Sequence, residues 1–207
     1  MQHLSTELFD VLDEEGIPTG KVKSRQAVHQ DGDWHRSIHI WILKEKHYIL
    51  MQRRSQDKDL EAGKIDVSIG GHYQAGESFQ EVLREAEEEL GLSLSPKDLY
   101  YLTTHKSERH YEKAIDREFQ EVYLSLCDQD LTKYRLNAQE IDVLYEIPLD
   151  KLITLYETGE AVLAAGYDAY ERTNNALLIL DDVIAGARQD TLTALYAIRA
   201  WLEPEQS

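Results

Sequence analysis

The chain has 207 residues, 42% of them hydrophobic, and its 39 acidic against 22 basic side chains give a formal net charge of −17. This length and composition predict one well-buried domain with an appendage, or two small domains, and exclude a largely disordered chain. The negative charge argues against broad binding to nucleic acid or to an anionic membrane surface, but it does not exclude a small anionic substrate.

The N-terminal residues show no basic stretch followed by an apolar core, so we expect no signal peptide. No apolar run approaches the roughly 20 residues that a membrane span needs. The single cysteine, Cys127, excludes an internal disulfide. Together these features predict a soluble protein of the cytoplasm.

The first third of the chain predicts a strand-rich core. ELFDVLD, from Glu7, predicts a strand, and a turn follows at residues 15–18. A short helical or irregular stretch over residues 24–34 leads to the β-rich runs RSIHIWILK and HYILMQRR, which the polar pair Glu45-Lys46 separates as in a hairpin. IDVSIGG then predicts one buried strand that ends in a glycine pair.

A helix is predicted next, in SFQEVLREAEEELGL, with Ser78 as N-cap and Gly91 as the stop. Strands follow in DLYYLTTH, REFQEVYLSL and EIDVLYEI, and another helix begins near Pro148. The last stretch, ERTNNALLILDDVIAGARQDTLTALYAIRAWL, predicts two helices broken near Gly186. We therefore expect an α/β core over residues 1–158 and a helical extension over 159–207 that packs on the core or forms a dimer contact.

Three glutamates of the first predicted helix lie at i, i+3 and i+4: Glu85, Glu88 and Glu89. This spacing projects them from one face, where they repel one another unless a hard divalent cation binds there. Three glutamates alone are more typical of a solvated helix face. The glycine pair before the helix, which allows close approach to a metal or phosphate, makes a metal site the better interpretation.

The segment from Gly71 to Leu92 closely resembles the Nudix box, whose pattern is Gly, five residues, Glu, seven residues, then Arg-Glu-hydrophobic-x-Glu-Glu-x-Gly-hydrophobic. REAEEELGL matches the second half throughout. Six residues rather than seven separate Glu77 from Arg84, and one residue fewer in a helix turns everything beyond it by about 100°. We expect the loop or first turn around Ser78-Phe79 to absorb this, and it puts in doubt the role of Glu77, which in the family commonly helps to hold the arginine.

Residues 7–158 also resemble the Nudix subgroup related to type I isopentenyl-diphosphate isomerase. That isomerase needs a cysteine acid in the slot that Gly70 occupies here, and glycine cannot donate a proton, so isomerisation is disfavoured. The isomerase-like metal positions have counterparts, which are His29, His35, His72, Asp116 and Glu118. Together they would house a transition metal, although each histidine alone is more typical of a packed polar or turn residue.

The resemblance implies a Nudix-type α/β/α sandwich with a mixed sheet, and Mg²⁺ or Mn²⁺ as cofactor. It implies the metal ligands Glu85, Glu88, Glu89, the Gly71 carbonyl and Glu118. Glu85 and Glu88 would be catalytic together with Arg84, which would orient the glutamates by ion pairing, and one of the glutamates, Glu118 or Glu121 would activate water.

For the anionic substrate we expect the basic cluster before the box and the histidine after its glycines: Arg53, Arg54, Lys58, Lys64 and His72. The expected function is hydrolysis of a nucleoside diphosphate linked to another group, or of a related organic diphosphate. The alternatives are an isomerase-like enzyme and a non-catalytic ligand sensor. The expected partners are a small-molecule diphosphate and, in a possible homodimer, a second copy.

Overall fold

The computed structural model describes residues 7–58 and 60–203. In chain order the strands are β1 (Leu8–Leu12), β2 (Pro18–Ser24), β3 (Trp34–Lys44), β4 (Tyr48–Arg54), β5 (Ile65–Asp66), β6 (Ile69–His72), β7 (Leu99–His110), β8 (Ile115–Leu126), β9 (Ile141–Pro148), β10 (Val162–Asp168) and β11 (Ala176–Leu178). The helices are α1 (Arg25–Asp31), α2 (Phe79–Val82), α3 (Arg84–Leu90), α4 (Leu149–Thr158) and α5 (Arg188–Leu202). In the described part of the chain, none of the helices has the length and apolar character that crossing a membrane requires.

Strand β3 is the centre of a mixed sheet. It pairs in parallel with β8 from Trp34 to Leu43, and β8 pairs with β7 as an antiparallel hairpin. On its other edge β3 pairs with β6 over residues 37–40 and with β4 over residues 43–44. From β4 the sheet continues through β9 and β10 to β11. The predicted mixed sheet is confirmed.

Helices cover both faces of this sheet. Residues of β3 alternate between the faces, as they do along any strand. Ile38, Ile40 and Ile42 belong to the same core cluster as the buried residues of α2 and α3. Trp41 and Leu43 belong to the cluster that includes α4 and α5. The chain is therefore an α/β/α sandwich, as predicted.

The sequence pattern located several elements correctly and one strand incorrectly. The hairpin between β3 and β4 turns at Glu45 and Lys46, both with positive φ. IDVSIGG, however, is two strands rather than one. Asp66 pairs with β4, whereas Ile69 pairs with β3, because the chain passes from one neighbour to the other between them. Ser68 lies at this crossing, where its hydroxyl accepts from the Ile42 N–H and donates to a carbonyl of β4.

The C-terminal part is less helical than predicted. Among the described residues after 158, α5 is the one α-helix, and the first of the two expected helices is wrong: its residues form the short strand β11 and two one-turn 3₁₀ helices. Strand β10, which the prediction missed, pairs with β9 and so extends the main sheet. The apolar sequence of the C-terminal part fits a strand as well as a helix. Pairing with the free edge of β9 selects the strand at β10. The division of the chain at residue 158 and the dimer contact stay predictions.

Candidate active site

A break in the acidic helix accommodates the shortened box. Ser78 caps α2 in a regular capping box with Glu81, so the loop and first turn show no irregularity. The break lies at Leu83, between α2 and α3, where ψ is −8° instead of the helical value of about −42°. The Ala86 N–H donates to the Leu83 carbonyl three residues earlier, at 3.2 Å. The expectation that Ser78-Phe79 would absorb the shortening is therefore wrong, because the capping box fixes that turn.

This break keeps Arg84 at the centre of the glutamates. Its Nε donates to Glu77 Oε1 at 2.9 Å, and its Nη1 donates to Glu85 Oε1 at 2.6 Å and to Glu88 Oε2 at 3.1 Å. Its Nη2 reaches the carbonyl of His72 at 3.3 Å. Glu77 thus holds the arginine despite the missing residue, since the junction at Leu83 brings the second half of the box back into position.

The three box glutamates differ in burial. Glu88 keeps 56% of its side chain exposed, whereas Glu89 is 4% exposed and accepts from Gln52 Nε2 at 3.2 Å and from the Gly70 N–H at 3.3 Å. Burial raises the pKa of Glu85 to about 7 and that of Glu89 to about 8. Two carboxylates that are costly to ionise, side by side in the interior, are the arrangement that a divalent cation would stabilise.

Gly71 explains how the helix comes so close to β6. A Cβ placed on Gly71 would lie 2.3 Å from Cδ and Cγ of Glu85, far inside van der Waals contact. At Gly70 the nearest atom to such a Cβ would be 3.4 Å away, which is an ordinary contact. The glutamate therefore occupies the space that any side chain at position 71 would take, so glycine is required there.

A second cluster lies beside β6 and combines histidines with acids. The ligand atoms of four residues lie within 4.8 Å of one another: His29, His35, His72 and Asp116. Asp116 Oδ1 is 3.5 Å from His29 Nε2 and 3.7 Å from His35 Nε2. Glu118 joins them, with its Oε1 2.9 Å from His72 Nε2. The structure thus brings together all five positions that the isomerase-like resemblance implied.

The chemistry of this histidine–acid cluster fits a transition metal. Within residues 7–58 and 60–203, the Nε2 atoms of His29, His35 and His72 and the Oδ1 atom of Asp116 are buried and have no hydrogen-bond partner. The short contact of His72 with Glu118 lacks hydrogen-bond alignment. Burial lowers the pKa of His35 and lowers that of His72 to about 4, so both imidazoles are neutral near pH 7. Neutral imidazoles and carboxylates that converge without bonding to one another are suited to bind a transition metal.

Arg109 is a residue of the site that the sequence analysis missed. Its Nη2 donates to Glu118 Oε2 at 2.6 Å and lies 3.3 Å from Asp116 Oδ2. Burial alone would raise the pKa of Glu118, but the neighbouring His72 and the charge of Arg109 lower it well below the usual range. The signal that would have found Arg109 is the hairpin register, because Arg109 of β7 stands opposite Asp116 of β8.

A pocket adjoins the histidine–acid cluster. Its lining includes Arg25, Arg54, Arg109 and His72, and Ile184 of the C-terminal segment. Of the residues predicted to bind substrate, Arg54 and His72 therefore face this pocket. The lining combines these arginines with four acids, which are Glu61, Asp66, Asp116 and Glu118.

The other predicted substrate residues are engaged elsewhere. Arg53 places its guanidinium 5.6 Å from the ring centroid of Tyr145, and Lys58 pairs with the glutamate that precedes β9. Lys64 Nζ donates to the carbonyl of Asp181 at 2.5 Å. Among the residues that the structure describes, Arg53, Lys58 and Lys64 are not part of the pocket lining.

Glu118 and Glu121, both considered for water activation, lie on opposite faces of β8. Glu118 belongs to the histidine–acid cluster, whereas Glu121 accepts from Arg36 Nη2 and from the Tyr73 hydroxyl, each at 2.6 Å. Their odd spacing along the strand accounts for this separation. The arrangement favours Glu118 over Glu121 as a residue near the pocket.

The chain is similar to known Nudix proteins. A family model described as NUDIX domain matches residues 33–165. An uncharacterized Nudix hydrolase of Clostridium acetobutylicum is 34% identical over 168 residues, which cover 79% of this chain and 81% of that protein. Nudix hydrolase 3 of Arabidopsis thaliana is 38% identical over 172 residues, 81% of this chain but 20% of that protein. An isopentenyl-diphosphate Δ-isomerase of Escherichia coli is 32% identical over 99 residues, which cover 47% of this chain and 54% of that enzyme.

Solved structures agree on the fold. The crystal structure of DR0079 from Deinococcus radiodurans has a TM-score of 0.55 at 22% identity and covers 74% of this chain and 91% of that one. The MutT protein from Methanosarcina mazei has a TM-score of 0.54 at 20% identity and covers 83% of this chain and 96% of that one. At these identities the likeness shows a shared fold.

The raised pKa values of Glu85 and Glu89 predict how stability depends on pH. Near pH 7 the native carboxyls retain protons that the unfolded chain, with its ordinary value of 4.5, has released. The native state binds more protons, so the free energy of unfolding should fall as pH rises from 7.5 to 8.5 in EDTA. The window starts at pH 7.5 because the histidines with a lowered pKa, which are His35, His39, His72 and His105, are still partly protonated in the unfolded chain near their ordinary value of 6.5 and oppose the slope there. Thermal unfolding measures the slope.

The variant Glu89→Gln should flatten this slope, because it removes the group with the higher pKa. Glu87→Gln, on the exposed side of the same helix, is the matched control and should leave the slope unchanged. Mn²⁺ should raise the melting temperature more at pH 8.5 than at pH 6.5, since ligand carboxyls must lose their protons to bind it. A melting temperature in EDTA that rises between pH 7.5 and 8.5 would contradict the assignment.

A second prediction concerns the two neighbouring glycines. Gly71→Ala should destabilise the protein by about 1–3 kcal/mol, because the new methyl group overlaps Glu85. Gly70→Ala should change stability much less, since its Cβ meets only ordinary contacts. Urea unfolding of the two variants measures the difference. Equal losses would show that the close approach of Glu85 to Gly71 is not what requires the glycine.

Proposed function

The chain belongs to the Nudix hydrolase family, and from this premise we propose that it hydrolyses the diphosphate linkage of a nucleoside diphosphate derivative or of a related organic diphosphate. Members of this family generally use divalent metal ions, and we propose Mg²⁺ or Mn²⁺ for this chain. The observation that carries the proposal is the group of box glutamates around Arg84, with the partly buried Glu85 and the buried Glu89 against Gly71 and Gly70.

The residues that would hold this metal are Glu85, Glu88, Glu89 and the carbonyl of Gly71. Bound there, a divalent cation supplies neutralisation of the diphosphate charge and polarisation of phosphorus. Arg84 fixes the carboxylates through three contacts, so that their oxygens are in place before substrate arrives. Its role is one of positioning, since all of its contacts go to protein groups.

Water attack on phosphorus breaks the P–O–P linkage, and the water proton passes to a carboxylate. Glu118 is the less suitable acceptor, because its Oε2 accepts from Arg109 and its Oε1 faces His72. We therefore assign proton transfer to the box glutamates. Glu118 is instead assigned to the histidine–acid cluster as a ligand for a second, transition metal.

The pocket beside the histidine–acid cluster would receive the anionic substrate. Arg25 and Arg54 line it and are the groups suited to phosphate oxygens. His72 joins the pocket to the cluster and contributes its carbonyl to Arg84 on the other side. Substrate charge would thus lie between the two candidate metal sites.

An isomerase-like activity remains the second candidate function. The histidine–acid cluster and the similarity to an isopentenyl-diphosphate Δ-isomerase favour it. Position 70 opposes it, because glycine offers no proton for an alkene. Allylic isomerisation of isopentenyl diphosphate, followed by NMR, should therefore be absent, and detecting it would replace the hydrolytic proposal.

The hydrolytic proposal predicts metal-dependent turnover in a panel of nucleoside and isoprenoid diphosphates. Release of phosphate or of a nucleotide should require Mg²⁺ or Mn²⁺. Glu85→Gln and Glu88→Gln should lower kcat/KM by about 10²–10⁴-fold, the usual contribution of positioned acid–base groups. Phosphate release and chromatography of the products provide the measurement.

Glu87→Gln is the matched control for both substitutions. Glu87 lies on the same helix, keeps 55% of its side chain exposed and approaches Arg135 at 3.8 Å. We expect it to retain activity within about twofold, as for surface substitutions away from a site. If Glu85→Gln and Glu88→Gln behave like Glu87→Gln, the assigned glutamates are wrong. Binding of panel members without turnover would favour the sensor.

A further inference from the structure

We propose that Arg109 is the positioning residue of the histidine–acid cluster and that the C-terminal segment holds Arg109 in place. In this role Arg109 binds one oxygen of Asp116 and one of Glu118, so that the other oxygen of each acid faces the imidazoles. The inference rests on the transition-metal site assigned to this cluster in the proposed function. It gives part of the C-terminal extension a role in the site.

The contacts of the two acids divide cleanly between their oxygens. Asp116 Oδ2 faces Arg109 at 3.3 Å, while its Oδ1 faces His29 at 3.5 Å and His35 at 3.7 Å. Glu118 Oε2 accepts from Arg109 at 2.6 Å, while its Oε1 lies 2.9 Å from His72. One guanidinium therefore contacts both carboxylates, with Gln120 Nε2 as a second donor to Glu118 Oε2, and the other oxygen of each acid faces the imidazoles.

The negative charges of Asp116 and Glu118 also require a positive partner, which is Arg109. Asp116 and Glu118 have 9% and 4% of their side chains exposed, and Arg109 has 13%, so solvent screens none of them well. Without Arg109, two carboxylates would repel each other in a poorly solvated place, and their side chains would turn away from each other.

Two effects of Arg109 on a bound cation oppose each other. Its charge repels the cation, which would weaken binding. Its hydrogen bonds keep Asp116 and Glu118 in the orientation that binding needs, and loss of such outer partners typically lowers metal affinity about 10–100-fold. Because Arg109 contacts only the oxygens that face away from the imidazoles, we conclude that positioning prevails over repulsion.

The C-terminal segment packs on the stem of Arg109. A Cβ built on Gly186 would lie 3.3 Å from both Cγ and Cδ of Arg109, so the backbone of this segment passes directly over the side chain. Ile184 lines the same pocket. Val183 forms a bridge with Ile65 of β5, which anchors the segment to the sheet. The C-terminal segment thus packs on the aliphatic part of Arg109, and Asp116 and Glu118 hold its guanidinium.

Titration of the purified protein with Co²⁺ tests the proposal, with the visible absorption of the ion reporting its ligands. Arg109→Met should bind Co²⁺ about 10–100-fold more weakly than the wild type and with an altered spectrum. Arg117→Met is the matched control, because Arg117 lies on β8, pairs with Glu108 and is 33% exposed. It should bind as the wild type does. Unchanged or tighter binding by Arg109→Met would overturn the proposal.

The variant His72→Gln distinguishes an error in the metal site from an error in the role of Arg109. If it lowers Co²⁺ affinity while Arg109→Met does not, the metal site stands and the role of Arg109 is wrong. If the wild type binds Co²⁺ no better than His72→Gln, the metal site itself is wrong, and the role of Arg109 with it.

Two further variants keep the test decisive if Arg109→Met fails to fold. Arg109→Lys retains the charge but not the planar fork, and it should bind Co²⁺ more weakly than the wild type. Gly186→Val should do the same by displacing the stem of Arg109, whereas Ala185→Val, one residue earlier and exposed, should not. Wild-type affinity and spectrum in both Arg109→Lys and Gly186→Val would contradict the proposal.

Discussion

The site depends on the burial of carboxylates on both sides of one short strand, β6. On one side Gly71 faces Glu85 of the acidic helix, and on the other His72 faces the acids of β8. Each group of carboxylates has its own arginine: Arg84 for the box glutamates and Arg109 for the histidine–acid cluster. A buried carboxylate is tolerated only when charge or hydrogen bonds compensate it. The two arginines do so for Glu85, Asp116 and Glu118, whereas Glu89 accepts hydrogen bonds from Gln52 and the Gly70 N–H.

The sandwich fold follows from the same alternation that builds the site. Along β3 the isoleucines 38, 40 and 42 face α2 and α3, whereas His35 and Ser37 face the other side. The acidic helix can therefore pack firmly on one face while polar side chains gather on the other. Parallel pairing of β3 with β8 then brings His35 beside Glu118, residues that are far apart in sequence. The histidine–acid cluster is thus a product of sheet register.

The sequence predicted the elements that interactions between neighbouring residues determine. The hairpin at Glu45-Lys46, helix α4 and the acidic helix were recognised from turn residues, caps and periodicity. Strands β10 and β11 were missed, because their sequence fits a helix equally well and only pairing selects the strand, β10 with β9 and β11 with β10. Arg109 was missed for a related reason. Nothing in its own neighbourhood marks it, and its role appears only when β7 is aligned with β8.

The adjacent glycines of β6 have different physical meanings. Gly71 is required by space, because Glu85 lies where its side chain would be. Gly70 is not, since a Cβ there would meet only Val67 at 3.4 Å and His39 at 3.8 Å. A cysteine at position 70 would therefore be compatible with the backbone. Under the proposed function, isomerisation is disfavoured by the side chain that is missing there, because glycine offers no proton donor.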